Sequence, residues 1–371
     1  MIKLKQIELN YNPVFWKKYD WGKITMQPST FSQFCFSYMK EGESILDVCN
    51  GNGRDTTYFK EKGLVVDSFD WGTVNLEDKK PKFSLDKIFD NVYCRFVLHS
   101  IPEHLEDYVL INSAKVLKTG GLLFIEVRSD EGNLSKAINH HYRRLINISD
   151  LRKKLTYLNF EIMFELESDN LSVYNGEDPI LIRFVVRKLG EIVTRGTVRD
   201  EKKTYCPLHL DTSIYLLFTV KQIFDDNKIP FFLVFGTLLG AYRDGGFIKG
   251  DSDIDLALLD DQRDKVMQLI DDGYFAIYGL KFIREWHEKP HLKALQYKRD
   301  YIDFWFFRKA GDLYKSGNRY TIESYQIDKG LSTVKLYGEK FKTVHNIEKY
   351  FERHYPDSDW RIPVEDYHSK I

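Results

Sequence analysis

Three aspartates, Asp251, Asp253 and Asp255, alternate with other residues in Gly250-Asp-Ser-Asp-Ile-Asp-Leu256. In an extended segment, residues two apart share a face. Asp253 and Asp255 are therefore expected to project together, with Ile254 turned to the core. Two carboxylates so close repel, and burying them costs several kcal/mol, of order 2–7 for a polar group, unless something neutralises them. A hard divalent cation with oxygen ligands, Mg2+ (or Mn2+), meets that need. Magnesium held by carboxylates beside substrate phosphates is an arrangement for phosphoryl transfer. A calcium loop also opens Asp-x-Asp-x-Asp, but counted from Asp251 its turn glycine falls on Leu256 and its last glutamate on Gln262, so that reading fails. A solvated Gly/Asp turn is the bland alternative.

The elements that must position these acids are legible around them. The apolar run 229–235 reads as a buried strand delivering Gly236 and Thr237 into a turn. A helix is expected over 211–227, with Asp211 as its N-cap. Tyr297-Lys-Arg-Asp-Tyr-Ile-Asp-Phe-Trp-Phe-Phe307 reads as one strongly apolar strand carrying an acid, Asp303, in its middle. A buried Asp needs a partner: a metal shared with Asp253 and Asp255, or a salt bridge to Arg243 or Arg299.

Gly236-Thr-Leu-Leu-Gly-Ala-Tyr-Arg243, Gly246-Phe-Ile248 and Asp251-Ser-Asp-Ile-Asp255 resemble the LicD/fukutin family, as do Leu336-Tyr-Gly-Glu-Lys-Phe341 and Tyr355-Pro-Asp-Ser-Asp-Trp-Arg-Ile-Pro363. The resemblance covers roughly residues 205–371. It implies a nucleotidyltransferase-like α+β fold and transfer of a phospho-substituent from a CDP-linked donor to a glycan or lipid-linked glycan. By that match Asp251, Asp253, Asp255 and Asp303 are the metal ligands, with Asp303 completing the site or acting as base. Gly236 and Thr237 contact donor phosphates, and Arg243 stabilises developing phosphate charge. Lys249-Gly250 and Val344-His345 depart from the family pattern.

A second constellation lies upstream. Ser44-Ile-Leu-Asp-Val-Cys-Asn-Gly-Asn-Gly-Arg-Asp55 reads as a strand, a glycine turn and a helix start. Gly51 and Gly53 let backbone amides approach a ligand, and the helix N-terminus favours anions. Asp70, closing the next strand, is placed to accept hydrogen bonds from ribose hydroxyls. Dinucleotides and S-adenosylmethionine both fit such a site, but Thr56 stands where the dinucleotide fingerprint needs its third glycine. The alternation of strands and helices through 122–127 predicts a doubly wound α/β sheet with its ligand at the carboxyl ends of the strands.

Ile45-Leu-Asp-Val-Cys-Asn-Gly-Asn-Gly-Arg-Asp55, Asp70, Phe89-Asp-Asn-Val-Tyr93 and Val116-Leu-Lys-Thr-Gly-Gly-Leu-Leu123 resemble the class I S-adenosylmethionine-dependent methyltransferases over about residues 15–188. The resemblance implies a Rossmann-like fold in which Asp47, Asn50, Gly51 and Gly53 shape the methionine end of the cofactor site. Asp70 would hold the ribose and Trp71 would pack on adenine. One departure stands out: Cys49 replaces the motif's first glycine. His141, Arg143, Arg128 and Arg95 are candidates for binding a phosphate-bearing methyl acceptor, since arginine offers paired donors. A solvated helix face is the competing reading. His99, after a strand, is a candidate general base.

The 371 residues suit two domains. The expected division is 1–190, a linker over 191–204 that is rich in charge and poor in large apolar residues, and 205–371. The net charge of -1 gives no field that would gather nucleic acid. Four cysteines without Cys-x-x-Cys spacing argue against a disulfide framework or structural zinc. No apolar run is long enough to span a membrane, so the expected location is cytoplasmic, with peripheral association at the inner face compatible. Two alternatives stay open beside a bifunctional enzyme: an active methyltransferase with a glycan-binding C-terminal module, or an active phosphotransferase with a scaffold N-terminal half.

Overall fold

The computed structural model describes residues 25–70, 83–84, 86–132, 142–173, 176–196, 207–286, 289–356 and 358–363. Trp71, His141 and linker residues 197–204 lie outside the described residues. The chain divides into two compact units, Met1–Val193 and Thr194–Ile371.

The first unit runs α1 (Thr30–Phe36), β1 (Ser44–Val48), α2 (Arg54–Glu61), β2 (Val65–Phe69), β3 (Phe89–Arg95), α3 (Glu103–Val116), β4 (Leu117–Arg128), α4 (Ile148–Tyr157), β5 (Phe160–Ser168) and β6 (Leu181–Lys188). Ser29 caps α1 by accepting the Ser32 amide, as Ser does at this position. Among the described residues the strands form one sheet in the order β2-β1-β3-β4-β6-β5. The first four are parallel, and β6 pairs antiparallel to β4 and β5. This is a Rossmann-like α/β sheet. Its strand order reverses between β1 and β3, and open α/β sheets take their ligands at such a point. The strands β1, β3 and β4 are largely buried, as expected of parallel strands covered by helices, whereas the edge strand β2 is exposed at Val65. Phe31, Phe59, Phe124 and Tyr93 fill the core on one side, each contributing roughly 1.5–3 kcal/mol by burial.

The Lys118–Gly121 segment lies inside a strand and not in a turn after α3. The helix ends at Val116, Leu117 is already extended, and β4 begins there. The ladder with β3 jumps from Phe89↔Leu117 to Asn91↔Leu122, and the intervening residues bulge. Gly121 is required by crowding, since a Cβ would lie 2.7 Å from the Asp90 carbonyl oxygen.

The second unit runs α5 (Leu210–Asp226), β7 (Phe232–Leu233), α6 (Phe235–Leu239), β8 (Ile254–Leu259), α7 (Arg263–Asp272), β9 (Lys281–Trp286), β10 (Lys289–Tyr297), β11 (Asp300–Ala310), β12 (Leu313–Ser316), β13 (Tyr320–Glu323), α8 (Tyr325–Asp328), β14 (Ser332–Leu336), β15 (Glu339–Thr343) and α9 (Ile347–His354). Its sheet orders β13-β12-β11-β8-β7-β15-β14, with β10 and β9 branching from β11. The pairing is mixed: β8 lies parallel to β11 and antiparallel to β7. Helices α5 and α7 are built on Leu216, Val220, Phe224, Val266 and Ile270, all buried in one core.

Three local expectations change. The 229–235 run yields only the two-residue strand β7, and Gly236 and Thr237 sit in the first turn of α6 rather than in an open turn. The 297–307 segment is not one strand: β10 ends at Tyr297 and β11 starts at Asp300, with Lys298 left-handed (φ 54) in the hairpin between them. Asp211 is inside α5, not its cap. The cap position is His209, and Asp300 from β11 supplies the missing acceptor, taking hydrogen bonds from the His209 amide and the Thr212 hydroxyl. A tertiary carboxylate has replaced a local one.

Candidate functional sites

In the second unit the acids arrive from two neighbouring strands. Asp255 is the second residue of β8, and Asp303 is its register partner on parallel β11, so the two side chains share a face. Asp253 joins them from the residues just before β8. Ligand oxygens of Asp253, Asp255 and Asp303 all lie within 4.8 Å of one another. Asp255 and Asp303 are 8% and 6% exposed. Burial, then the charges of Asp253 and Asp303, push the Asp255 carboxyl well above the usual carboxylate range. Burial, then the same two acids, push the Tyr301 hydroxyl upward as well. A carboxylate triad this close and this buried fits a hard cation with oxygen ligands. The same residues would accept protons in its place.

Asp251 does not complete a four-acid set. Its side chain turns to Gly236, where a Cβ would come within 2.8 Å of Oδ2. Burial and then Asp253 raise its carboxyl to about 7. Gly236 is thus the glycine that lets Asp251 close over α6. Thr237 is fully buried, and its Oγ1 accepts the Asp255 amide at 2.8 Å. It anchors the start of β8 and presents no hydroxyl to a phosphate. Trp305 was not anticipated: its Nε1 donates to Asp255 Oδ1 at 2.8 Å and fixes that carboxylate's rotamer. Only its two-residue spacing from Asp303 hinted at a shared face. Arg243 lies in a π-type turn, Gly240–Asp244, forked onto Asp244 at 2.8 and 2.7 Å, and donates to the Trp360 carbonyl at 3.2 Å. Arg299 reaches Asp300 at 3.9 Å.

In the first unit a cavity of about 370 Å³ opens at the carboxyl ends of β1 to β4. Asp47, Asn50, Gly51 and Asp70 line it, as do Arg95, His99, Arg128 and Arg143. Gly53 is left-handed (φ 74) and caps α2, and Gly51 is left-handed too (φ 56). Cys49 adopts φ 58, so the loop keeps the conformation for which a glycine is expected, at a strain of roughly 1–2 kcal/mol. Burial holds its thiol protonated.

Asp47 is 2% exposed, and burial raises its carboxyl to about 7 despite a 2.6 Å hydrogen bond from Thr56. Thr56, noted only for not being a glycine, ties the first strand to α2. Asn50 donates to Thr56 and to Ser68. Asp55, which also lines the cavity, accepts from Ser29, Ser32 and Tyr93. Glu126, fully buried, bridges Arg95 Nε at 2.8 Å and Arg183 Nε at 2.6 Å. His99 is not arranged as a general base, because Nδ1 accepts the Arg128 amide at 3.2 Å. The neutral ring therefore carries its proton on Nε2.

Two protein-family models match. One, described as a methyltransferase domain, covers residues 23–166. The other, described as the LicD/FKTN/FKRP nucleotidyltransferase domain, covers residues 228–331. The chain joins a methyltransferase domain to a LicD-family domain. It is an enzyme chain with a methyl-transfer unit and a LicD-type transferase unit. No curated protein matches it significantly. Similar solved structures include the 1,6-didemethyltoxoflavin-N1-methyltransferase of Burkholderia thailandensis, at 17% identity over 47% of this chain and 80% of that one, TM-score 0.35. Another is an S-adenosylmethionine-dependent methyltransferase of Methanosarcina mazei, at 18% identity over 43% and 98%, TM-score 0.35. A third, from Archaeoglobus fulgidus, has 16% identity over 42% and 90%, TM-score 0.33.

The methyltransferase match takes in β1 to β4, whose carboxyl ends line the cavity. The LicD match takes in Gly236 through Asp303 and the three clustered acids. The 336–363 segment lies beyond it, yet packs into the same unit: the Tyr350 hydroxyl accepts the Phe235 amide at 3.3 Å, helping to hold the start of α6. Among the described residues, no helix is long and apolar enough to cross a membrane.

Proposed function

We propose that the chain is a bifunctional enzyme of cell-surface glycan assembly. Its first unit transfers a methyl group from S-adenosylmethionine. Its second unit transfers a phospho-substituent from a CDP-linked donor to a hydroxyl of a glycan or lipid-linked glycan. The observation that carries the second half is the convergence of Asp253, Asp255 and Asp303 within 4.8 Å. These residues would hold one or two Mg2+ (or Mn2+) ions. Bound there, the metal supplies charge neutralisation for the donor phosphates. The chain's own part is positional: Trp305 and Thr237 fix Asp255 in place, and Asp251, near pH 7 in its titration, is placed at the edge of the cluster to take a proton. Arg243 is the residue that would meet developing phosphate charge, once freed from its fork onto Asp244.

For the first half, support comes from the cavity at the strand-order reversal and from the retained left-handed loop at Cys49, Gly51 and Gly53. Asp70 would accept ribose hydroxyls, and Asp47 with the loop amides would frame the methionine end. A domain match of this kind also fits the cytoplasm, at the inner face of the membrane, as the place of action. The test is turnover. Incubated with a CDP-linked alcohol, Mg2+ and a glycan acceptor, the enzyme releases CMP, and chelation stops the release. Turnover that persists in excess chelator, or in Asp253→Asn, would remove the metal-dependent reading.

A further inference from the structure

Among the described residues, one cation lining the cavity of the methyltransferase unit is only partly satisfied. Arg128 closes β4, is 8% exposed and lines the cavity. Its Nη2 reaches Glu177 Oε2 only at 3.5 Å, the outer limit of a hydrogen bond. Its Nε and Nη1 are buried with no hydrogen-bond partner among the described residues. Arg95, beside it, is in a different state, with Nε on Glu126 and Nη2 on Ser172. Burial lowers the Arg128 pKa against the pull of Glu177, yet a guanidinium stays charged in proteins. A buried charge with unmet donors is costly, and such groups call for an explanation.

Position narrows that explanation. Strands in the order β2-β1-β3-β4 are about 4.8 Å apart. Arg128 at the end of β4 therefore sits about three spacings, ~14 Å, across the sheet from Asp70 after β2. A nucleoside held at Asp70 leaves the Arg128 end to the second substrate. Nε and Nη1 lie on different edges of the guanidinium. Either edge pairs with two oxygens of an anion, and a phosphate, unlike a carboxylate, keeps a third oxygen for another donor such as Arg143, which lines the same cavity.

We infer that Arg128 is the anion-binding residue of the methyl-acceptor subsite, and that the acceptor is a phosphate ester rather than a neutral sugar. This rests on the proposal that the same cavity takes S-adenosylmethionine. It also connects the two units chemically, since the LicD-type unit would handle phosphate esters too.

The experiment uses the full chain saturated with S-adenosylhomocysteine and titrated with glycerol 3-phosphate, with glycerol as the uncharged control. The wild type is expected to bind the phosphate and not glycerol. Arg128→Gln should weaken that binding roughly ten-fold or more, as loss of a charge-assisted hydrogen bond implies. Arg128→Lys should lose less. Both variants should keep their melting temperature and bind S-adenosylhomocysteine within about three-fold of wild type, a change worth under 1 kcal/mol. Equal phosphate binding in wild type and Arg128→Gln would overturn the inference while leaving the cofactor reading intact. So would a Gln variant that loses S-adenosylhomocysteine but keeps 5′-methylthioadenosine, because Arg128 would then hold the cofactor's carboxylate. Failure of the wild type to bind S-adenosylhomocysteine would remove the cofactor reading and this inference with it. Should the Gln variant not fold, the Lys variant carries the same comparison.

Discussion

The two units bury acids in opposite ways. In the methyltransferase unit each buried carboxylate has been given protein donors: Thr56 for Asp47, two serines and a tyrosine for Asp55, two arginines for Glu126. In the LicD-type unit three carboxylates face one another, and their mutual repulsion adds to burial in driving Asp255 upward. The first arrangement is complete as a piece of structure and shapes a pocket for a ligand. The second is an electrostatic debt in the apo protein that a cation would discharge. Burial alone therefore does not mark an acid as catalytic; what matters is whether the chain gives it donors of its own or sets it facing other carboxylates.

That contrast breaks most visibly at Asp255. Asp255→Asn should cut CMP release by the second unit on the order of a thousand-fold, equivalent to about 4 kcal/mol of barrier, while S-adenosylhomocysteine binding by the first unit is unchanged. Titrating both ligands into the same variant checks it. Glu126 gives the opposite pattern. Glu126→Leu leaves Arg95 and Arg183 buried without their shared partner, and the first unit should lose about 3–5 kcal/mol. Chemical denaturation with a probe in each unit should show one transition shifted and the other unmoved. Asp70→Ala should weaken S-adenosylhomocysteine by roughly 10–100-fold, the worth of charged hydrogen bonds of about 1.5–3 kcal/mol, with no change in stability.

The pH dependence follows from the raised carboxyls. Asp47 and Asp251 have folded values of about 7 against an ordinary 3.8, so the native state binds more protons than the unfolded one between those limits. Their contribution to stability is fully present below pH 4 and is lost as pH rises to 7. In metal-free buffer the melting temperature should fall across that window from these groups. Mg2+ should recover more of it at pH 8 than at pH 5, because the triad must shed protons to bind. A recovery that is equal at both pH values would contradict the reading of the triad. The smallest effect is at Cys49. Cys49→Gly removes a left-handed strain of roughly 1–2 kcal/mol but adds unfolded-state entropy of about 0.5–1 kcal/mol. A rise in melting temperature of a few degrees at most is expected, with cofactor binding retained.

How far these features were legible differs by their range. The strand–glycine turn–helix at 44–61 depends on neighbours in sequence, and hydrophobic spacing with glycine chemistry sufficed for it. The pairing of Asp303 with Asp255 was within reach because both lie in strands dense with apolar residues, where an acid demands a reason. What could not be read was set by contacts across the fold. Asp300 displaced Asp211 as the acceptor at the start of α5, and the Lys298 hairpin split an apolar run that looked continuous. Thr237 was expected to meet phosphates, but the packing of α6 on β8 turned its hydroxyl to the Asp255 amide. Asp251 had the right spacing, but spacing governs an extended strand, and β8 begins only at Ile254. Arg128 stood out only once its neighbours' partners were known.

The most direct measurement is titration calorimetry on the intact chain with S-adenosylhomocysteine, and separately with CDP or CTP with and without Mg2+. The account predicts that both bind, that the cytidine nucleotide needs the metal, and that Asp253→Ala with Asp255→Ala abolishes only the nucleotide signal. A folded sample that binds S-adenosylhomocysteine but no cytidine nucleotide under any metal condition would contradict the claim that the acid triad serves a CDP-linked donor.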